Sequence, residues 1–105
     1  MNRIKTRKEL TEKEIMNLLK QNREILKKYK VKKIGLFGSH VRGSQKPHSD
    51  VDFLVEFKEP TFDNFMGLVF DLEGLFGKKV ELITNGSLSP YIQPYVEKEV
   101  RWYEA

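Results

Sequence analysis

A mixed α/β fold, a small β-sheet of three or more strands packed with helices, is the class this sequence predicts. Three observations lead there. Runs rich in β-forming residues recur at 31–37, 50–57 and 78–84. Apolar residues at helical spacing mark 11–29 and 62–76. A helix-length segment separates the second and third strand runs, as a parallel return between strands requires.

Ile15, Leu18, Leu19, Ile25, Leu26 and Tyr29 follow the 3.6-residue period from Thr11 to Tyr29, and Thr11 with Glu14 has the form of a capping box. "VKKIGLF" (31–37) reads as a first strand stopped by Gly38, and "DVDFLVEF" (50–57) as a second that Pro60 ends. A second helix is expected from Phe62 to Phe76, burying Phe62, Phe65, Met66, Val69, Leu72 and Phe76, with Gly77 as its left-handed stop. "KKVELIT" (78–84) is a third strand and "NGS" a turn. The tail from Pro90 to Tyr103 reads as helix, with Pro94 delaying or kinking its start.

Composition narrows the function. At 105 residues without repeats, low-complexity segments or a linker, one domain spanning 1–105 is expected. There is no cysteine, so disulfide and thiolate chemistry are excluded. No apolar run approaches the roughly 18–20 residues of a membrane span, and "MNRIKTRKEL" lacks the apolar core of a secretory signal. A cytoplasmic location is the default expectation. The net charge of +4 is uneven: residues 1–33 hold 12 of the 19 Lys and Arg against 4 acids. That balance reads most simply as a solvated lysine-rich helix face.

The chemistry-bearing passage is "GLFGSHVRGSQKPHSDVDFLVEF", residues 35–57. Asp50 and Asp52 alternate with apolar residues at the mouth of a strand, so they point the same way, roughly 7 Å apart. Two charges at that distance repel by about 0.6 kcal/mol in water and about 2.4 at an effective dielectric of 20. A cation between them relieves this, and all-oxygen ligands select Mg²⁺ or Mn²⁺ over zinc. If the Gly38-Ser39 turn and the acidic pair share a site, the first two strands run antiparallel. A parallel third strand then brings Glu81 to the same edge. Three carboxylates on one edge suit two-metal phosphoryl or nucleotidyl transfer. Gly38 allows close approach of backbone, Ser39 offers an N–H and a hydroxyl, and Arg42 one turn later is placed to grip a phosphate or, alternatively, to pair with a nearby acid.

With these residues assembled, the sequence resembles the minimal nucleotidyltransferase (MNT) family of the DNA polymerase β superfamily. The signature is Gly-Ser, about ten residues, then Asp-x-Asp; here it reads "GS-HVRGSQKPHS-DVD". The resemblance covers essentially the whole chain and implies the polymerase β palm-like nucleotidyltransferase fold. It implies phosphate contact for Gly38 and Ser39, and metal binding for Asp50 and Asp52 by two Mg²⁺ ions. Glu81 becomes the third carboxylate that helps activate an attacking hydroxyl, at a position where relatives more usually carry Asp. Stand-alone members of this size resemble MntA-like antitoxins, which implies transfer of AMP from ATP to a tyrosine of a HEPN ribonuclease toxin. A catalytically weak relative that neutralises its partner by docking alone is the alternative. A nucleic-acid partner is disfavoured, since no reading helix or stacking platform is recognisable. His40, Lys46 and His48 read as loop residues, and Tyr91, Tyr95, Trp102 and Tyr103 as core or partner interface.

Overall fold

The computed structural model describes residues 10–104; the basic residues Arg3, Lys5, Arg7 and Lys8 lie outside them. Helices α1 (Glu12–Gln21) and α2 (Arg23–Lys28) open the fold, followed by β1 (Val31–Phe37), α3 (Ser39–Arg42) and β2 (Val51–Phe57). Then come α4 (Phe62–Phe76), β3 (Val80–Thr84), α5 (Gln93–Glu99) and β4 (Arg101–Glu104). The four strands form one sheet in the order β3-β2-β1-β4. β1 lies antiparallel to both β2 and β4, and β3 runs parallel to β2. No helix among the described residues is long and apolar enough to cross a membrane.

Side chains of opposite parity along the strands build two cores, one per face. Val51, Phe53 and Val55 of β2 join Ile34, Leu36, Val80 and Leu82 against Ile15, Leu19, Leu26, Leu68, Leu72 and Phe76 of the helices. Leu54 faces the other way, with Leu88 and Val96 buried against it and Phe37, Ile83, Val100 and Trp102 at the margin. The helical layer is thus on one face, and the short α5 covers part of the other.

Local chemistry accounts for most boundaries. Thr11 caps α1 in a full capping box with Glu14. The first predicted helix is in fact two: at Asn22, φ −122° and ψ 35° leave the helical region. The Asn22 side-chain amide donates to the Leu18 carbonyl at 2.9 Å, competing locally with the helical ladder. Thr61 caps α4, and Gly77 at φ 66° closes it as expected.

Two expectations fail. Of the six residues predicted to bury one face of α4, Phe62 is 76% exposed and Met66 45% exposed. Leu72 and Phe76 are buried as predicted, Phe65 and Val69 are partly buried against the core, and Leu68 completes an i, i+4, i+8 stripe, while Phe62 in the first turn and Met66 fall off it. The tail is the second case. Pro94 does hold the start of α5 back to Gln93, but the helix ends at Glu99 and Arg101–Glu104 is a strand. Val100 is extended (φ −64°, ψ 138°), and β4 pairs with β1 through Gly35↔Trp102. β1 needs that partner, because its outer edge would otherwise present unpaired backbone groups. Gly35 makes room for it: a Cβ there would lie 2.5 Å from Val100 Cγ2 and 2.8 Å from Trp102 Cε3.

Candidate active site

The site is built where β1 ends and β2 begins. Antiparallel pairing places Phe37 opposite Asp52, so the next residue, Gly38, falls directly against that aspartate. Gly38 has φ 85° and ψ −152°, a conformation costly for any side chain. A Cβ at Gly38 would also collide with the Asp52 carboxylate. Both constraints require glycine, and together they bring the Gly-Ser turn and the acidic strand mouth into contact.

Ser39 is the first residue of the single-turn α3, and the Gly38 carbonyl accepts from Val41 N (3.0 Å) and Arg42 N (3.1 Å). Gly43, at φ 76°, ends the turn, and Ser44 N donates to Ser39 O at 3.0 Å. The loop then returns through a short turn in which Lys46 N donates to Ser49 Oγ at 2.8 Å and Ser49 N to Lys46 O at 3.0 Å. The Lys78 ammonium donates to the Pro47 carbonyl, tying the loop to the segment entering β3.

Glu81 reaches the same edge through the crossover. β2 and β3 pair in parallel register with Asp52 beside Glu81, and Val51 N donates to Lys79 O at 2.9 Å at the mouth of the pair. Asp50, Asp52 and Glu81 therefore share one face and one end of the sheet. Asp50 and Glu81 are exposed and Asp52 is half-buried. Burial first, and then the charges of Glu81 and Asp50, push the Asp52 carboxyl up to about 6, against the opposing pull of Arg42.

The donor set fits a hard divalent cation in kind: Asp52 and Glu81 on neighbouring strands with Asp50 just ahead of β2, carboxylates whose charges oppose one another. Among the described residues, however, no three His, Cys, Asp or Glu side chains are close enough to enclose a metal ion. A cation would have to draw the exposed Asp50 and Glu81 inward.

Arg42 and the Gly38 N–H meet a residue the sequence reading did not single out. Arg42 Nη1 donates to both carboxylate oxygens of Glu99, at 3.1 Å each, and Gly38 N donates to Glu99 Oε2 at 2.7 Å. Of the two readings of Arg42, the structure shows the pairing with an acid. Nothing local marked Glu99, which is one of several charges near the end of a predicted helix. His40 is a correction. Expected as a loop residue, it lies inside α3 at 1% exposure, with no hydrogen-bond partner among the described residues on either ring nitrogen. Burial and the nearby Lys78 charge lower its pKa. Of the tail aromatics, Tyr91 (85%) and Tyr95 (72%) are exposed, whereas Trp102 and Tyr103 pack at the margins of the two cores. A separate polar depression between Asn17, Lys20, Gln21, Arg23, Glu24 and Lys27 lies on α1 and α2, in the helical layer and apart from the carboxylate edge.

Comparison with known proteins bears on this geometry. A family model described as "Nucleotidyltransferase domain" matches residues 15–103. A Methanocaldococcus jannaschii relative, whose name gives it as a candidate protein adenylyltransferase, is 45% identical over 92 residues, covering 83% of this chain and 92% of its own. The protein adenylyltransferase MntA of Thermococcus cleftensis is 42% identical over 93 residues, covering 87% and 94%. A crystal structure of a toxin–antitoxin with AMP-PNP superposes with a TM-score of 0.63 at 26% identity, covering 91% of this chain and 75% of that one. The family match takes in the Gly-Ser turn, the acidic strand mouth and the crossover to Glu81 alike, and the chain belongs to the nucleotidyltransferase domain family.

Proposed function

We propose that this nucleotidyltransferase transfers AMP from ATP to a hydroxyl, a tyrosine, of a partner HEPN toxin protein, and so acts as an antitoxin. One observation carries the reading furthest: Gly38 is pressed against the Asp52 carboxylate, so a triphosphate held at the Gly-Ser turn has its α-phosphorus beside the acidic edge. The name of the Thermococcus cleftensis relative, a protein adenylyltransferase, supports AMP transfer to protein. The AMP-PNP complex of a related toxin–antitoxin supports an adenine nucleotide and a protein partner.

In this reading Gly38, Ser39 and Arg42 hold the β and γ phosphates, through an N–H, a hydroxyl and a guanidinium. Asp50, Asp52 and Glu81 would hold Mg²⁺, two ions in the full site, which when bound neutralises charge on the phosphates and favours the deprotonated acceptor. The acceptor oxygen forms a bond to the α-phosphorus in line with the breaking bond to the β-phosphate oxygen. Pyrophosphate leaves, and the hydroxyl proton passes to the carboxylate edge, where Glu81 is the exposed base. Tyr91, Ile92 and Tyr95 are exposed at the start of the segment that ends in Glu99, apolar surface of the kind that suits a protein acceptor.

The test uses ATP labelled in its α-phosphate, Mg²⁺, and the purified partner. Wild type is expected to label the partner, and the Asp50→Asn, Asp52→Asn double variant to leave it unlabelled. Equal labelling by both would sink the mechanism. Neutralisation that persists in the unlabelled variant would instead favour the docking antitoxin.

A further inference from the structure

Two of the groups assigned above to polyphosphate are already engaged. The Gly38 N–H and the Arg42 guanidinium both donate to the carboxylate of Glu99, at 2.7 and 3.1 Å. That carboxylate comes from a distant part of the chain, 61 residues from Gly38 and 57 from Arg42. It stands at the end of α5, where the buried Val96 and, just past the helix, the half-buried Val100 pack with Leu54.

Carboxylate and phosphate present the same chemistry to such a seat: anionic oxygens that accept from a backbone N–H and a guanidinium. Gly38 is buried, and an unpaired buried N–H is costly, so some acceptor must fill the position when no nucleotide does. The one hydrogen on that nitrogen cannot serve two anions well. As a brace for the fold the Arg42–Glu99 ion pair is weak, because the Arg42 side chain is 58% exposed and ion pairs so open to water contribute little.

We propose that Glu99 is a placeholder for the nucleotide's phosphate: it occupies the Gly38–Arg42 seat in the free protein, withdraws when the triphosphate enters, and so sets nucleotide affinity. The proposal rests on the reading of Gly38 and Arg42 as phosphate ligands. It makes α5 the sensor of nucleotide occupancy, since release of Glu99 removes the polar contact between that helix and the Gly-Ser turn.

Titration calorimetry on the full chain tests this, comparing wild type with Glu99→Gln and Glu99→Ala. Mg²⁺-ATP is one ligand and inorganic tripolyphosphate the other; tripolyphosphate lacks a base, so any gain arises at the phosphate seat. Both variants are expected to bind both ligands about two- to fivefold more tightly, the size of relieving one partly exposed ion pair. The gain should be larger for Ala, because Gln still accepts from Gly38. Equal or weaker binding by variants that melt as cooperatively as wild type would overturn the placeholder role and make Glu99 a positioning brace for Arg42. Wild-type and variant chains that all fail to bind either ligand would remove the phosphate-seat reading, and this inference with it. Should the variants not fold, carboxyl-carbon NMR of wild type reports directly. The Glu99 signal should move towards its solvated value as tripolyphosphate saturates the seat, and a signal unmoved at saturation would overturn the proposal.

Discussion

Asp52 is held where burial and three neighbouring carboxylates, Glu81, Asp50 and Glu99, all oppose its charge, and its pKa is pushed up to about 6 from 3.8. Above pH 6 the fold carries the full cost of that ionised group. As pH falls from 6 towards 3.8 the native state takes up the proton first, so stability rises across that window. A shift of this size corresponds to about 3 kcal/mol, reduced to about 1–2 because the carboxylate is partly solvated. Asp52→Asn is therefore expected to melt higher than wild type at pH 7.5 in EDTA, with the gain vanishing near pH 4. A variant no more stable than wild type at pH 7.5 would contradict it.

His40 works in the opposite sense. Its pKa is lowered from 6.5 by burial and Lys78, so the unfolded chain binds the proton first and stability is lost as pH falls below about 6.5. In the Asp52→Asn background the acid-side loss should stand alone, visible as a melting temperature that declines steadily below pH 6.5. Gly38 shows the tightest coupling of all. Gly38→Ala meets both a left-handed φ and the Asp52 carboxylate, so it should cost about 1–3 kcal/mol in thermal or urea unfolding and abolish transfer.

At the scale of elements, the strands were readable because β-forming side chains cluster in runs bounded by Gly and Pro, and β1, β2 and α4 keep the predicted extents closely. The phase of α4 was readable only in part: Leu72 and Phe76 are buried as predicted. A helix with apolar residues on most of its circumference does not say which stripe meets the sheet, and the buried stripe turned out to pass through Leu68 rather than Phe62 and Met66. The terminal segment misled for a related reason: Val96 and Val100 fit a helical period, while Arg101–Glu104 owes its strand to the free edge of β1. Gly35 is the hinge of that pairing. Gly35→Ala is expected to displace Trp102 and Val100, cost about 1–3 kcal/mol by overpacking, and speed amide exchange in 101–104 ahead of the rest of the sheet. Uniform protection across all four strands would contradict this.

On the scale of the whole molecule, the sheet separates two tasks. One face carries the main core under α1, α2 and α4; the other carries a smaller core and, at one end, the carboxylates. Substitutions at Asp50 and Asp52 should thus leave the main core untouched. The double Asn variant is expected to stay folded and, if the proposed partner is supplied, to co-purify with it while losing label transfer. Loss of folding in that variant would mean that the acidic edge stabilises the sheet, against the repulsion that Asp52 reports.

Whatever is encoded at short range could be read from the residues alone. Helical and strand periodicity, the Thr11 box, the Gly77 stop and the Gly-Ser spacing to Asp50 and Asp52 all follow from neighbouring residues. The parallel placement of Glu81 was also readable, because a crossover of that length leaves little choice of direction. Only the tertiary structure decided the rest: which stripe of α4 is buried, that residues 101–104 extend along β1, and that Glu99 reaches the Gly38 N–H. Each depends on surfaces that meet only after the chain has closed on itself, and no local pattern of side chains records such a meeting in advance.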